Sequence, residues 1–382
     1  LVKLGVSLML EDNFFAAFLP LYRQGLVQCL EWSFDTGLES MPGWAFALLN
    51  DYGERGALLG HGVSYSLFSE NARQTPWLQA LSDSVESHQF TLFSEHFGFT
   101  QAGRYLDNAP LSVPFSQAFV ERGRANLARL QQHAATRVGL ENLAFAFSRE
   151  DVLLQGAFLE ALLQDQPQSF LLLDLHNLYC QATNFGIDAL ELLATYPLER
   201  VVEIHMAGGR VEPRLSRSSL DNLRRDTHDC PVPEELFDLL KHCLAVLPNL
   251  SYVIYERLGT AFVDESDRQC FQNDYLRLAD MVANAVSCQN VRGQNVLGQN
   301  VPGQFERSQF ESRFGGALYQ DNAAVADAFL ETLSEALACG DNDIRGTLSQ
   351  KFACYAPYIA SMQTDMIDLA ARLYKRWGVP LH

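Results

Sequence analysis

Lysine is scarce in this chain, occurring only at Lys3, Lys241, Lys351 and Lys375. Arginine does not make up the shortfall: 28 basic residues face 46 acidic ones, for a formal net charge of −18. That balance excludes a broad basic surface for a nucleic-acid backbone, whose affinity comes from Lys and Arg neutralising phosphates. No apolar run reaches the ~20 residues that span a bilayer. Neither nucleic acid nor membrane is therefore expected as a partner. The eight cysteines (Cys29, Cys180, Cys230, Cys243, Cys270, Cys288, Cys339, Cys354) form no CxxC pair. A chain of 382 residues needs no disulfide framework, so they read as reduced thiols of a cytoplasmic protein. No GxGxxG follows a strand and opens a helix, which removes the dinucleotide-binding turn. The opening LVKLGVSLMLED reads as a strand and lacks the small-residue cleavage site of a signal peptide.

What is present is a series. Eight short apolar runs recur along residues 1–285: Lys3–Leu10, Val27–Phe34, Leu58–Ser64, Phe90–His96, Gly139–Leu143, Phe170–His176, Val201–Ala207 and Tyr252–Glu256. They are near-continuously apolar, as strands buried on both faces must be. Helical patterns lie between several of them, over Phe115–Thr136, Asp151–Gln164, Asp188–Thr195 and Pro233–Leu247, with Asp151 as a candidate N-cap. Strand and helix alternating eight times predict an α/β fold, a (β/α)8 TIM barrel, over 1–285. Residues 286–305 carry a QNVxG unit three times, read as a linker with little to bury. Residues 306–382 read as a small helical C-terminal region. Gly340 is a helix stop there, and Phe352, Tyr355, Tyr358 and Met362 are core packing.

Six of the runs carry at or near their ends groups able to bind metal, His61, His96, Glu141, Asp174 with Asn177 just beyond, His205 and Glu256, and Asp226 with His228 stand between the last two. A TIM barrel gathers its strand ends at one mouth, so ligands distant in sequence would meet there. Asp226 and His228, at i and i+2, would share one face of a strand. A Gly pair after His205 would let its loop turn tightly. Singly, each residue has a plainer reading: a packed core histidine, or a carboxylate that caps a helix or pairs with arginine. Jointly they place more polarity inside a barrel than a core tolerates without cations. Imidazoles and carboxylates without cysteine suit iron, manganese or zinc. Glu31, Asp35 and Glu203 read as residues behind the ligands or in salt bridges. His88, His133 and His242 read as surface residues.

The run HGVS, SEHFGF, LENLA, LLDLHNLY, EIHMAGG, DTH, YER resembles the DUF692 family, the multinuclear non-haem iron oxidases that include the methanobactin-biosynthesis oxidase, within the xylose-isomerase-like barrels. The resemblance covers roughly residues 1–285. It implies two or three iron ions (Fe2+/Fe3+), with zinc or manganese as substitutes, and a dioxygen-dependent oxidation of cysteine residues in a ribosomally made precursor peptide, a step of natural-product biosynthesis. It also implies a partner protein that presents the peptide. By analogy Glu141 is the bridging carboxylate. His61 and His96 would hold one ion with it; Asp174, His205 and Glu256 would serve a central ion; Asp226 and His228 would serve the third. Glu141, Asp174, Asn177 and His205 are the catalytic candidates. His176 is a ligand or an orienting group. Endonuclease IV, a trinuclear zinc relative, carries a His where this chain has Asn177, and the oxidase family carries Asn. A neutral oxygen ligand leaves one ion more open.

Three other readings stand beside the oxidase: an endonuclease IV-like metal-dependent hydrolase, a xylose-isomerase-like sugar isomerase, and a metal-storing or peptide-binding module without turnover. Asn177 and the negative charge weigh against the first. The isomerase uses a catalytic Lys or His, and no lysine here ends a strand. The helical pattern beyond the barrel is expected to contribute peptide docking or a dimer contact.

Overall fold

A computed structural model describes residues 1–35, 41–103, 109–214, 222–292 and 318–377. Its centre is a closed barrel of eight parallel strands: β1 (Lys3–Ser7), β2 (Cys29–Ser33), β3 (Leu58–Gly62), β4 (Phe93–His96), β5 (Val138–Glu141), β6 (Ser169–Asp174), β7 (Val201–Met206) and, after a short hairpin of β8 (Val211–Pro213) and β9 (Asn222–Arg224), β10 (Tyr252–Tyr255). The closed order is β1-β10-β7-β6-β5-β4-β3-β2. Helices follow the strands in turn: α1 (Asp12–Arg23), α2 (Gly43–Glu54), α3 (Asn71–Ser87), α4 (Gln117–Ala134), α5 (Arg149–Leu163), α6 (Leu175–Phe185) with α7 (Ala189–Leu193), α8 (Glu234–Val246) and α9 (Glu265–Arg292). This is a (β/α)8 TIM barrel, with each predicted run supplying one strand. Both faces of the strands are buried, the inner against the barrel core and the outer under the helices, which is why the runs read as unbroken apolar stretches.

Local chemistry sets the helix starts. Ser116 accepts from the Phe119 N–H at the head of α4. At α5 the cap is Ser148, which accepts from the Asp151 N–H, and not Asp151 as expected. Asp151 sits three residues on, and its carboxylate accepts from the Phe147 N–H at 3.0 Å and from Ser112 at 3.2 Å. The pair resembles a capping box, with the acid, the third helical residue, reaching back to the N–H just before the cap.

Helix α9 continues to Arg292, past the point where the repeat segment was expected to begin; residues 293–305 of that segment lie outside the described residues. The C-terminal region is helical: α10 (Ala323–Cys339), α11 (Ile344–Lys351), α12 (Ala356–Ser361) and α13 (Thr364–Trp377). Gly340 ends α10 with φ of 68°, the left-handed conformation in which glycine has no Cβ penalty. Phe352, Tyr355, Tyr358 and Met362 are buried, and Phe329 packs edge-on against the first three. The region is tied to the barrel loops by Asp321 at the start of α4, by Gln363 N–H to Phe147 O at 2.8 Å, and by the Arg214–Asp365 ion pair. No described helix is long and apolar enough to cross a membrane.

Candidate metal centre

Strand register brings the ligating side chains together in pairs. His96 on β4 is level with Glu141 on β5, and Asp174 on β6 is level with His205 on β7. His61 on β3 is level with Ser94, whose hydroxyl lies 2.9 Å from His61 Nδ1 and fixes the ring. Glu256 follows β10 directly. Asp226 and His228 arrive differently. They sit in the irregular loop after the β8–β9 hairpin, not on a strand, and His228 has φ of 51°. The expected in-strand i, i+2 geometry is replaced by a loop that folds both side chains back over the mouth. Gly208 and Gly209 permit this by lacking side chains: a Cβ on Gly208 would fall 2.1 Å from Pro231 O, and one on Gly209 would fall 2.0 Å from Arg225 O and 2.7 Å from the His176 ring. The pair is required by close approach rather than by a special turn. His176, read as the end of the β6 run, and Asn177 after it both lie in the first turn of α6.

Four sets of three side chains place one ligand atom each within 4.8 Å of the others: His61, His96, Glu141; Glu141, Asp174, His205; Asp174, His228, Glu256; and Glu31, His205, Glu256. Glu141 belongs to two of them, between the His61–His96 end and the middle of the cup. Its Oε2 lies 3.5 Å from His61 Nε2 and 3.4 Å from His96 Nε2, and its Oε1 accepts from Asn177 Nδ2 at 3.0 Å. Asp174 also links two sets. One of its oxygens caps α6 by accepting from the Asn177 N–H at 2.5 Å, so the plain helix-cap reading is correct for that atom alone. At the exposed end, Asp226 Oδ1 lies 2.9 Å from His228 Nε2 and 2.8 Å from His176 Nδ1. His176 thus stands behind Asp226 and orients it. Asp226 and His228 keep 22% and 23% of their side-chain surface exposed, against 4–6% for His61, Glu141 and Glu256, so the cup opens to solvent on their side.

Buried atoms of the cup without a hydrogen-bond partner include Glu141 Oε2, Asp174 Oδ2, Asn177 Oδ1 and His205 Nδ1. An acceptor buried without a donor costs roughly 1–3 kcal/mol, and more when charged. Carboxylate oxygens and an imidazole nitrogen converging without donors can line a cation site, and the set suits a first-row divalent ion. The titration behaviour fits. Burial raises Glu141 to about 8 against the opposing pull of His96 and His205. Burial and the neighbouring Asp226 charge raise Asp174 to about 7. Burial would depress His96, but Glu141 and Glu95 raise it to about 10. His61 is held well below its ordinary value by burial and by His96 and His205. Despite burial, His228 and His176 keep Asp226 well below the usual carboxylate range. Acids and imidazoles thus stand packed together, Glu141 and Asp174 raised chiefly by burial and Asp226 lowered by its histidines.

Two of the acids read as standing behind the ligands or in salt bridges lie on the floor of the cup. Glu31 and Glu203 are fully buried inside the barrel, and Glu31 touches His205. Asp35 instead pins the loop after β3, accepting from the Val63 and Ser64 N–H groups and from Trp77 Nε1. His133 bonds Ser82 on the helical shell, and His88 packs edge-on against Phe46, both away from the mouth.

The chain is similar to several known proteins. A UPF0276 protein of Acaryochloris marina is 29% identical over 185 residues, covering 48% of this chain and 64% of that one. One from Neisseria meningitidis is 28% identical over 219 residues, 57% of this chain and 75% of that one. The chain thus spans somewhat less than two thirds of the first of these relatives. Among solved structures, a zinc-bound IOLI protein superposes with TM-score 0.47 at 11% identity, covering 74% of this chain and 99% of that one. A xylose isomerase domain protein of Alicyclobacillus acidocaldarius superposes with TM-score 0.45 at 19% identity, covering 74% and 99%. The barrel assignment rests on strand order rather than on those likenesses. The family described as RiPP precursor modification enzyme MbnB/TglH/ChrH matches residues 27–258, the stretch from β2 to just beyond Glu256. With well over half its length in that match, the chain belongs to this family of enzymes that modify ribosomally synthesised peptides.

Proposed function

We propose that the protein is a multinuclear non-haem iron, dioxygen-dependent oxidase that modifies cysteine residues of a ribosomally synthesised precursor peptide. The carrying observation is the cup itself: donor-free oxygen and nitrogen atoms from β3 to β10 in linked sets, with Glu141 and Asp174 each shared between two. His61, His96 and Glu141 would hold one ion; Glu141, Asp174 and His205 a second; Asp174, Glu256, His228 and Asp226 a third. Ferrous iron in such a site supplies an open coordination position for a cysteine thiolate and redox capacity toward dioxygen. The residues do the rest. Asn177 offers a neutral oxygen beside Glu141, a weaker donor than imidazole, and so leaves that neighbourhood open to exogenous ligands. His176 holds Asp226 in place. The buried wall of β3 to β7 excludes water from one side, while the exposed Asp226–His228 rim admits the peptide. The C-terminal helices are anchored to the loops after β4, β5 and β7, and they would position the peptide beside, or in place of, a separate presenting partner.

Metal analysis after anaerobic purification, followed by oxygen-uptake measurements with a cysteine-containing precursor peptide and its Cys→Ser counterpart, tests the proposal. Iron in the protein and oxygen consumption that requires the cysteine are expected. Zinc in the protein with phosphodiester cleavage would replace the oxidase by an endonuclease IV-like hydrolase.

A further inference from the structure

Inside the barrel, below the rim, the ring of His205 has an acid at each edge. On one side Nδ1 lies 3.2 Å from Glu256 Oε2 without hydrogen-bond geometry, and it has no partner. On the other side Nε2 lies 2.9 Å from Glu31 Oε2. Glu31 comes from β2, which is separated from β7 by β1 and β10 in the closed order, so the contact crosses the barrel interior. The Glu31 side chain is fully buried, and its second oxygen has no partner. Glu203 is also buried, but its closest approach to Nε2 is 4.0 Å, beyond hydrogen-bond reach.

An imidazole gives a metal one in-plane lone pair and keeps its other nitrogen protonated. Glu256, which lies with Asp174 and His228 in one set, faces Nδ1. A lone pair aimed into the cup is therefore that of Nδ1, which leaves the proton on Nε2, where Glu31 waits to accept it. We propose that Glu31 is a positioning residue of the metal centre: its buried carboxylate accepts the Nε2 proton of His205, fixes the tautomer with Nδ1 bare, and aims that nitrogen at the central ion. The assignment rests on the metal-binding reading of the cup. It also accounts for an acid buried in a barrel core, because the imidazole it holds would carry part of a cation's charge. Glu31 is close enough to Glu256 for both to be direct ligands instead; the two roles separate on substitution, because a glutamine oxygen still accepts a hydrogen bond but brings no negative charge to a metal.

Full-length metal-free protein is titrated anaerobically with Co2+, as wild type, Glu31→Gln and Glu31→Ala, with folding checked by circular dichroism. For Glu31→Ala, one equivalent should bind ~10–100-fold more weakly while the others are unaffected, the range seen when such outer acids are removed. Glu31→Gln should recover most of that affinity. In the cobalt-loaded wild type and in Glu31→Gln, a hyperfine-shifted imidazole N–H resonance should persist against exchange with solvent, and it should vanish in Glu31→Ala. Should Glu31→Ala fail to fold, Glu31→Met, similar in volume but without an oxygen acceptor, makes the same test. Unchanged cobalt affinity in the Ala or Met variant would overturn the assignment, and so would a Gln variant as impaired as Ala, which would make Glu31 a direct ligand. A wild type that takes up no cobalt would instead overturn the metal reading itself.

Discussion

The cup at the barrel mouth and the helical region beyond residue 318 both hold acids against polar neighbours, but they satisfy them in opposite ways. In the C-terminal region Asp321 accepts from the Ala118 N–H and the Ser116 and Tyr355 hydroxyls. Asn322 and Asp343 cap α10 and α11, and Asp365 pairs with Arg214. The Tyr358 hydroxyl, a neutral group, is a buried exception. In the cup the acids face imidazoles and one another, and oxygens of Glu31, Glu141, Asp174 and Glu203 are left without donors. Acids that find donors within the chain build structure. Acids that do not are arranged for something the chain lacks.

The contrast breaks most severely at Glu141. Because it joins two ligand sets, Glu141→Ala should remove more than one metal equivalent, read by inductively coupled plasma analysis of reconstituted protein. Loss of a single equivalent would deny it a bridging role. Next comes the exposed end: Asp226→Ala or His228→Ala should each empty one position and leave far-ultraviolet circular dichroism unchanged. If either variant stripped the whole cup, the three positions would not be separable.

A pH series sharpens the same comparison. Glu141, Asp174 and Glu95 are raised to about 8, 7 and 7, mainly by burial. The folded metal-free protein therefore keeps carboxyl protons that the unfolded chain releases near pH 4, so its stability falls as pH rises from about 4 to 8. His96, raised to about 10, acts in the same direction: its contribution is complete below about 6.5 and is lost as pH climbs toward 10. His205 and His228, also raised, follow it, while His61, depressed, opposes. Each group protonated only in the fold contributes up to about 1.4 kcal/mol per pH unit. Metal uptake must displace these protons, so affinity rises over the same interval. Melting of chelator-treated protein should weaken from pH 6 to 8 as that of metal-loaded protein strengthens. Parallel trends would mean that the cup's charges are not what the cation replaces.

Much of this was legible in the sequence. The eight strands could be read because a strand covered on both faces leaves a short apolar run, and much of the cup because the barrel brings the polar residues near the ends of several runs to one mouth. The reading failed where local geometry depends on what is far away. The β8–β9 hairpin has three-residue strands with no clear alternation, so Asp226 and His228 looked like a strand end when they are a folded-back loop. His176 looked like a continuing strand because Asp174 both ends β6 and caps α6. Ser148 and Asp151 are each competent caps, and only the backbone path chose Ser148. Glu31 was legible as a residue behind the ligands or in a salt bridge, but its partner His205 was not, since that residue lies across the barrel on a strand that is not its neighbour. Buried atoms without donors mark the cup, and no sequence pattern displays an absence of donors.

The smallest effect belongs to Asp321, and it tests the other half of the comparison. Its two oxygens accept from the Ala118 N–H at 2.8 Å, the Ser116 hydroxyl at 2.8 Å and the Tyr355 hydroxyl. Ser116 is itself the N-cap of α4, so the acid ties the C-terminal helices to a helix start on the barrel. Asp321→Ala leaves those donors short of an acceptor in a half-buried seam, and the loss should be about 1–3 kcal/mol in denaturant unfolding. Asp321→Asn, which keeps an acceptor oxygen, should lose less. Neither variant should change the number of ions bound, because every partner of Asp321 is a donor of the fold and none is a member of the cup. A fall in metal content with Asp321→Ala would show that the two regions are one mechanical unit, and that the rim depends on the helices docked beside it.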